Sequence, residues 1–127
     1  MTYIKREFEE DIVKWLNHKE IIAIRGSRQC GKTTFLKRIM DILLDKKINK
    51  ENIHFISFED DFEIEKIERN PLEYINFHIG EIKTKHFFIF DEVQYIKNAG
   101  KILKLIYDSI ENIKIIITGS STLDLKL

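Results

Sequence analysis

The sequence predicts an α/β fold in three layers, with a mostly parallel sheet covered by helices on both faces. Two observations carry this. Short apolar runs at residues 21–24, 54–58, 87–90 and 113–118 are separated by segments whose apolar residues recur at helical spacing. The run 87–90 (Phe-Phe-Ile-Phe) is apolar at every position, as a strand buried on both faces must be. Sheets of this kind hold their functional residues beyond the carboxyl ends of the strands.

Phe8, Ile12, Trp15 and Leu16 fall at i, i+4, i+7 and i+8, the stripe of an amphipathic helix. Residues 21–24 (Ile-Ile-Ala-Ile) read as a buried strand that runs into a glycine-containing loop. Phe35, Leu36, Ile39, Met40 and Leu43 resume helical spacing, and this helix fades near Lys46 and Lys47. Residues 54–58 form the second strand, and the acidic stretch 59–68 reads as loop or irregular helix. Asn70, Pro71 and Glu73 then fit the N-cap, N1 and N3 positions of a helix. Its buried face is Leu72, Ile75, Ile79 and Ile82. The third strand, 87–90, stops abruptly at Asp91-Glu92. Ile102, Leu103, Ile106 and Ile110 mark a further helix before the fourth strand at 113–118.

The 127 residues carry 21 Lys+Arg against 21 Asp+Glu, so there is no overall charge to attract nucleic acid or an anionic membrane. Composition is that of a folded domain: 43% hydrophobic and 33% charged residues exclude a disordered chain. Without an internal repeat or linker, residues 1–127 read as one domain. The single cysteine, Cys30, excludes an intramolecular disulfide and a cysteine-based zinc site. No apolar run approaches the roughly 20 residues of a membrane span. The charged N-terminus is unlike a signal peptide, so a reducing, cytoplasmic setting is expected. The histidines at 18, 54, 78 and 86 show no metal-ligand spacing and read as separate surface or boundary residues.

The residues that carry chemistry stand at the strand ends. Gly26-Ser27-Arg28-Gln29-Cys30-Gly31-Lys32-Thr33 fits G-x-x-x-x-G-K-[ST] in full, after a buried strand and before an amphipathic helix. Such a loop turns its backbone N–H groups inward around phosphate, and the helix adds its positive N-terminal dipole. Lys32 can then reach the β- and γ-phosphates, and the Thr33 hydroxyl can coordinate Mg²⁺. Asp91, at the end of the third strand, suits the same Mg²⁺, and Glu92 can polarise an attacking water. The fourth strand ends in Thr118-Gly119-Ser120-Ser121. Thr118 or Ser120 can hydrogen-bond that water or the γ-phosphate, although on its own this segment reads as an ordinary turn.

With these motifs placed, the chain resembles the AAA-type P-loop ATPases of bacteria and archaea. The carriers are residues 26–34, ending in Lys32-Thr33-Thr34, then Phe88-Ile89-Phe90-Asp91-Glu92-Val93-Gln94, then Ile117-Thr118-Gly119-Ser120-Ser121. The resemblance implies a P-loop NTPase sandwich with strand order 5-1-4-3-2, counted from residues 21–24, and with the fifth strand absent. It implies ATP and Mg²⁺ as ligands, hydrolysis at the β–γ bond, and Ser120 or Thr118 in the sensor position. It further implies that residues 1–127 are the core of a longer protein, incomplete at the C-terminal side and weakly active alone. The missing strand is expected to leave the outer edge of residues 21–24 open to self-association, or to refilling by the tail 123–127. No guanine-recognition run occurs. A nucleotide-gated switch with little turnover is the alternative function, and a small-molecule kinase is disfavoured by the Asp-Glu pair.

Overall fold

The alternation of apolar runs and helical stripes folds as a single parallel sheet in a computed structural model that describes residues 2–3, 10–26 and 32–120. In chain order the elements are β1 (Thr2–Tyr3), α1 (Glu10–Trp15), β2 (Ile22–Arg25), α2 (Lys32–Asp45), β3 (Ile53–Ser57), α3 (Asp61–Arg69), α4 (Pro71–Ile79), β4 (His86–Asp91), α5 (Ala99–Ser109) and β5 (Ile113–Gly119). The sheet order is β1-β2-β5-β4-β3, every neighbouring pair being parallel. From β2 onward this is the order 1-4-3-2 that the resemblance implies.

The outer edge of β2 differs from the expectation. Thr2 pairs with Ile22 and Tyr3 with Ala23, so the chain's own N-terminal residues cover the edge where a fifth strand was expected. Backbone N–H and C=O groups along a strand favour a partner, and β1 supplies one over those two residues. Phe8 and the tail 123–127 lie outside the described residues.

Alternation along each strand sorts the core into two layers. Ile22, Ile24, Phe87, Ile89 and Ile116 face Leu16 and the stripe Phe35, Leu36, Ile39 and Leu43 of α2. Ala23, Ile56, Phe88, Phe90, Ile115 and Ile117 face Ile67 of α3, Ile75 of α4 and Leu103 and Ile106 of α5. Lys114 is buried within β5, and its ammonium donates to the carbonyls of His18 and Glu20, tying β5 to the turn before β2. Burial, and then the charge of Lys85, push its pKa down to about 8.

Two local readings are corrected. The acidic stretch is a regular helix, α3: Asp60 accepts from the Phe62 N–H at 2.9 Å, and the pairs Glu63–Lys66 and Glu65–Arg69 run along its side. In α4, Asn70 accepts from the Glu73 N–H at 3.2 Å as the sequence predicts, but Gly80 at φ 57 ends the helix before Ile82. Ile82 is 39% exposed, while Tyr74 is buried and donates its hydroxyl to Glu63, joining α3 to α4.

Three of the four histidines, His54, His78 and His86, are not separate. His86 donates from Nε2 to the Ile82 carbonyl at 2.9 Å, which leaves its Nδ1 to accept from His54 Nε2 at 2.8 Å. The His54 ring stacks on Phe88 at 4.6 Å and meets His78 edge-on at 5.5 Å. Burial, then the neighbouring His86 and His78, push the pKa of His54 down to about 4. The folded state therefore holds fewer protons than the unfolded chain between pH 6.5 and 4, and stability is lost as pH falls through that window. One such group contributes a slope of up to about 1.4 kcal/mol per pH unit. Denaturant titrations at stepped pH are expected to show a flatter acid limb in His54→Phe than in the wild type. Asp60, Glu63 and Tyr74, which border the same region, are the same residues in both proteins.

Candidate functional site

The strand register determines which side chains meet at the carboxyl ends. On β4, Phe87 and Ile89 face α2, so Asp91 continues that face; on β5, Ile116 and then Thr118 do the same. Pairing of Phe90 with Ile117 sets Asp91 beside Thr118. On the other side Ile24 pairs with Thr118 and Arg25 with Gly119, and the Gly26 N–H extends the ladder to the Gly119 carbonyl at 3.3 Å. The first turn of α2 stands over this junction through Lys32.

Five side chains form one network there. The Lys32 ammonium is ion-paired to Glu92 Oε1, and both residues are only 4% exposed. Glu92 Oε2 accepts from Gln94 Nε2 at 3.0 Å. The Glu92 backbone N–H donates to Thr118 Oγ1 at 3.0 Å, while the Thr118 hydroxyl donates to Asp91 Oδ1. Thr118 thus uses both hydroxyl functions to fix the carboxylate before it in space and the backbone of the residue that follows that carboxylate.

Glu92 takes φ 59 and ψ 50, a left-handed conformation that costs a non-glycine residue roughly 1–2 kcal/mol. It swings the chain out of β4 into the 3-10 turn Val93–Tyr95. Backbone strain of this kind clusters at functional sites. Burying an ammonium and a carboxylate costs several kcal/mol per ion, which mutual pairing offsets, so each depends on the other.

Of the sequence-predicted residues, Lys32, Asp91, Glu92 and Thr118 come together. Gly26 sits at the end of β2, Thr34 is exposed on α2, and Ser120 follows β5 two residues past Thr118. Ser27, Arg28, Gln29, Cys30, Gly31 and the side chain of Thr33 lie outside the described residues. Sequence reasoning missed the pairing of Lys32 with Glu92 across 60 positions and the contact of Gln94 with the Glu92 carboxylate. A cation at the start of a 14-residue helix, beside an aspartate at a strand end, is a donor set suited to a phosphate anion and a hard divalent cation.

No helix among the described residues is long and apolar enough to cross a membrane. A family model described as "AAA domain" matches residues 18–127. An uncharacterized protein of Haemophilus influenzae is 28% identical over 120 residues, covering 93% of this chain and 30% of its own length. Two uncharacterized proteins of Methanocaldococcus jannaschii are 33% and 34% identical over 137 and 119 residues. Those matches take in 96% and 94% of this chain, but 27% and 24% of the relatives. The chain therefore spans less than a third of the length of these relatives. Over most of its length, from residue 18 to residue 127, it belongs to the AAA domain family, whose members are nucleotide-binding domains of the ATPase type.

Proposed function

We propose that the protein binds Mg-ATP at the carboxyl ends of β2, β5 and β4 and hydrolyses the β–γ bond. The observation that supports this most is the network in which the buried Lys32, Glu92 and Thr118 join Asp91. Residues 26–34 would cradle the phosphates, with Gly26, Ser27, Arg28, Gln29, Cys30 and Gly31 offering backbone N–H groups, and Thr34 following on α2. The Lys32 ammonium would exchange Glu92 for β- and γ-phosphate oxygens. Asp91, with the Thr33 hydroxyl, would hold Mg²⁺, which when bound neutralises charge on the phosphate oxygens.

Released from Lys32, the Glu92 carboxylate would accept a proton from the attacking water at Oε1, held in position by Gln94 at Oε2. Thr118 would keep Asp91 and the Glu92 backbone in one arrangement, with Ser120 nearby on the same chain end. A cytoplasmic setting, where ATP and Mg²⁺ are supplied together, fits this reading.

A nucleotide-gated switch with little turnover is favoured by one feature: both Glu92 oxygens are engaged, by Lys32 and by Gln94. Titration with fluorescent ATP, with and without Mg²⁺, coupled to a phosphate-release assay separates the two. Mg²⁺-dependent binding is expected, with release that is slow from residues 1–127 alone and is lost in Glu92→Gln; binding without release from a longer protein containing them would leave the switch.

A further inference from the structure

β3 is the last strand of the sheet on the side away from β1, and no described strand pairs with its outer edge. An edge strand presents backbone N–H and C=O groups that are ready to pair with another chain. A groove of about 490 Å³ lies against it, lined by all five residues of β3 and by Asp60, Glu63 and His78. Phe55, at the middle of the strand, is 47% exposed. Proteins usually blunt such edges with lysine, proline or inward-pointing charges, yet Ile53–Ser57 contains none of these.

The groove also has a sign. Asp60 and Glu63 line it; Glu63 is already ion-paired with Lys66, while Asp60 and its neighbours Glu59 and Asp61 are exposed. Burial alone would raise the pKa of Glu63, but hydrogen bonds from Tyr74 and Lys66 outweigh it and keep the carboxylate charged. A five-residue edge is a small surface for joining two copies of the chain, since stable interfaces bury roughly 1,200–2,000 Å². One strand's length is enough for peptide capture, in which main-chain hydrogen bonds give affinity and alternate side chains give specificity.

We propose that the outer edge of β3 takes up an extended peptide segment bearing lysine or arginine, added as a further strand of the sheet. Its alternate side chains would meet Phe55 on one face and the Asp60–Glu63 end on the other. The peptide supplies its own N–H and C=O groups to the open edge, and its cations answer the carboxylates.

The test uses an acetylated, amidated peptide of alternating Lys and Val, followed by backbone NMR and hydrogen exchange on the protein. Saturating peptide is expected to slow exchange of the outward-facing β3 amides about tenfold or more, by giving them a partner. Asp60→Asn and Asp61→Asn should each weaken binding about two- to fivefold, the reach of an exposed charge pair, and added salt should act likewise. Neither residue belongs to the nucleotide network, and ATP binding serves as a check that the variants fold. The same peptide N-methylated at alternate residues should fail to bind.

Equal binding by the N-methylated peptide or by a Glu-Val peptide would overturn the proposal, as would binding that leaves β3 exchange unchanged or no binding at all. Edge amides protected without peptide, in a protein that sediments as a dimer, would assign the edge to a second copy instead.

Discussion

Glu92→Gln is expected to slow phosphate release by roughly 10²–10⁴-fold while ATP remains bound, the reach of a positioned general base. Glutamine keeps the shape of the side chain and an oxygen for Lys32, but it cannot take up a proton at neutral pH. It also removes the anion that competes with phosphate for the Lys32 ammonium, so nucleotide affinity should be unchanged or higher. Phosphate release at saturating Mg-ATP, beside a binding titration of the same sample, reads both effects. Undiminished release would end the assignment of Glu92 as base.

Lys32→Ala is expected to weaken ATP binding roughly tenfold to a hundredfold, because hydrogen bonds to charged groups contribute about 1.5–3 kcal/mol each. It should also lower stability by about 3–5 kcal/mol, since Glu92 would remain buried without its cation. The double variant Lys32→Ala/Glu92→Gln separates the two effects: stability should largely return, and ATP affinity should not. Unchanged affinity in Lys32→Ala would remove the phosphate-loop reading altogether.

What the sequence makes legible depends on how local each determinant is. The α4 start is complete within four residues, Asn70 to Glu73, and the structure has Asn70 capping the Glu73 N–H with Pro71 opening the helix. The strands are legible because burial on both faces demands continuous apolar runs, as at Phe87–Ile89 and Ile115–Ile117. The helix α3 was obscured because only Ile64 and Ile67 mark its inner face, while its acids and bases hide the rest as apparent loop. The contact of His54 with His86, 32 positions away, arises from the pairing of β3 with β4, which no spacing rule anticipates.

The same holds at the site. Asp91 and Glu92 are legible as carboxylates at a strand end. That Thr118 bridges them, with Ser120 lying beyond the strand, follows only from the β4–β5 register. The strand order itself came from the resemblance, and periodicity alone does not supply it.

The two-residue strand β1 bears on where this domain can be trimmed. The family match begins at residue 18, and that boundary invites expression of a shorter protein starting there. Such a protein would lose Thr2 and Tyr3 from the flank of β2, and with α1 would go Leu16, which is 2% exposed against Ile22, Ile24 and α2. Bare strand and uncovered apolar surface would then adjoin the segment leading into Gly26, the first glycine of the phosphate loop. Poor solubility or weak nucleotide affinity in that shortened chain would reflect the missing first seventeen residues, and assays are best begun at Met1.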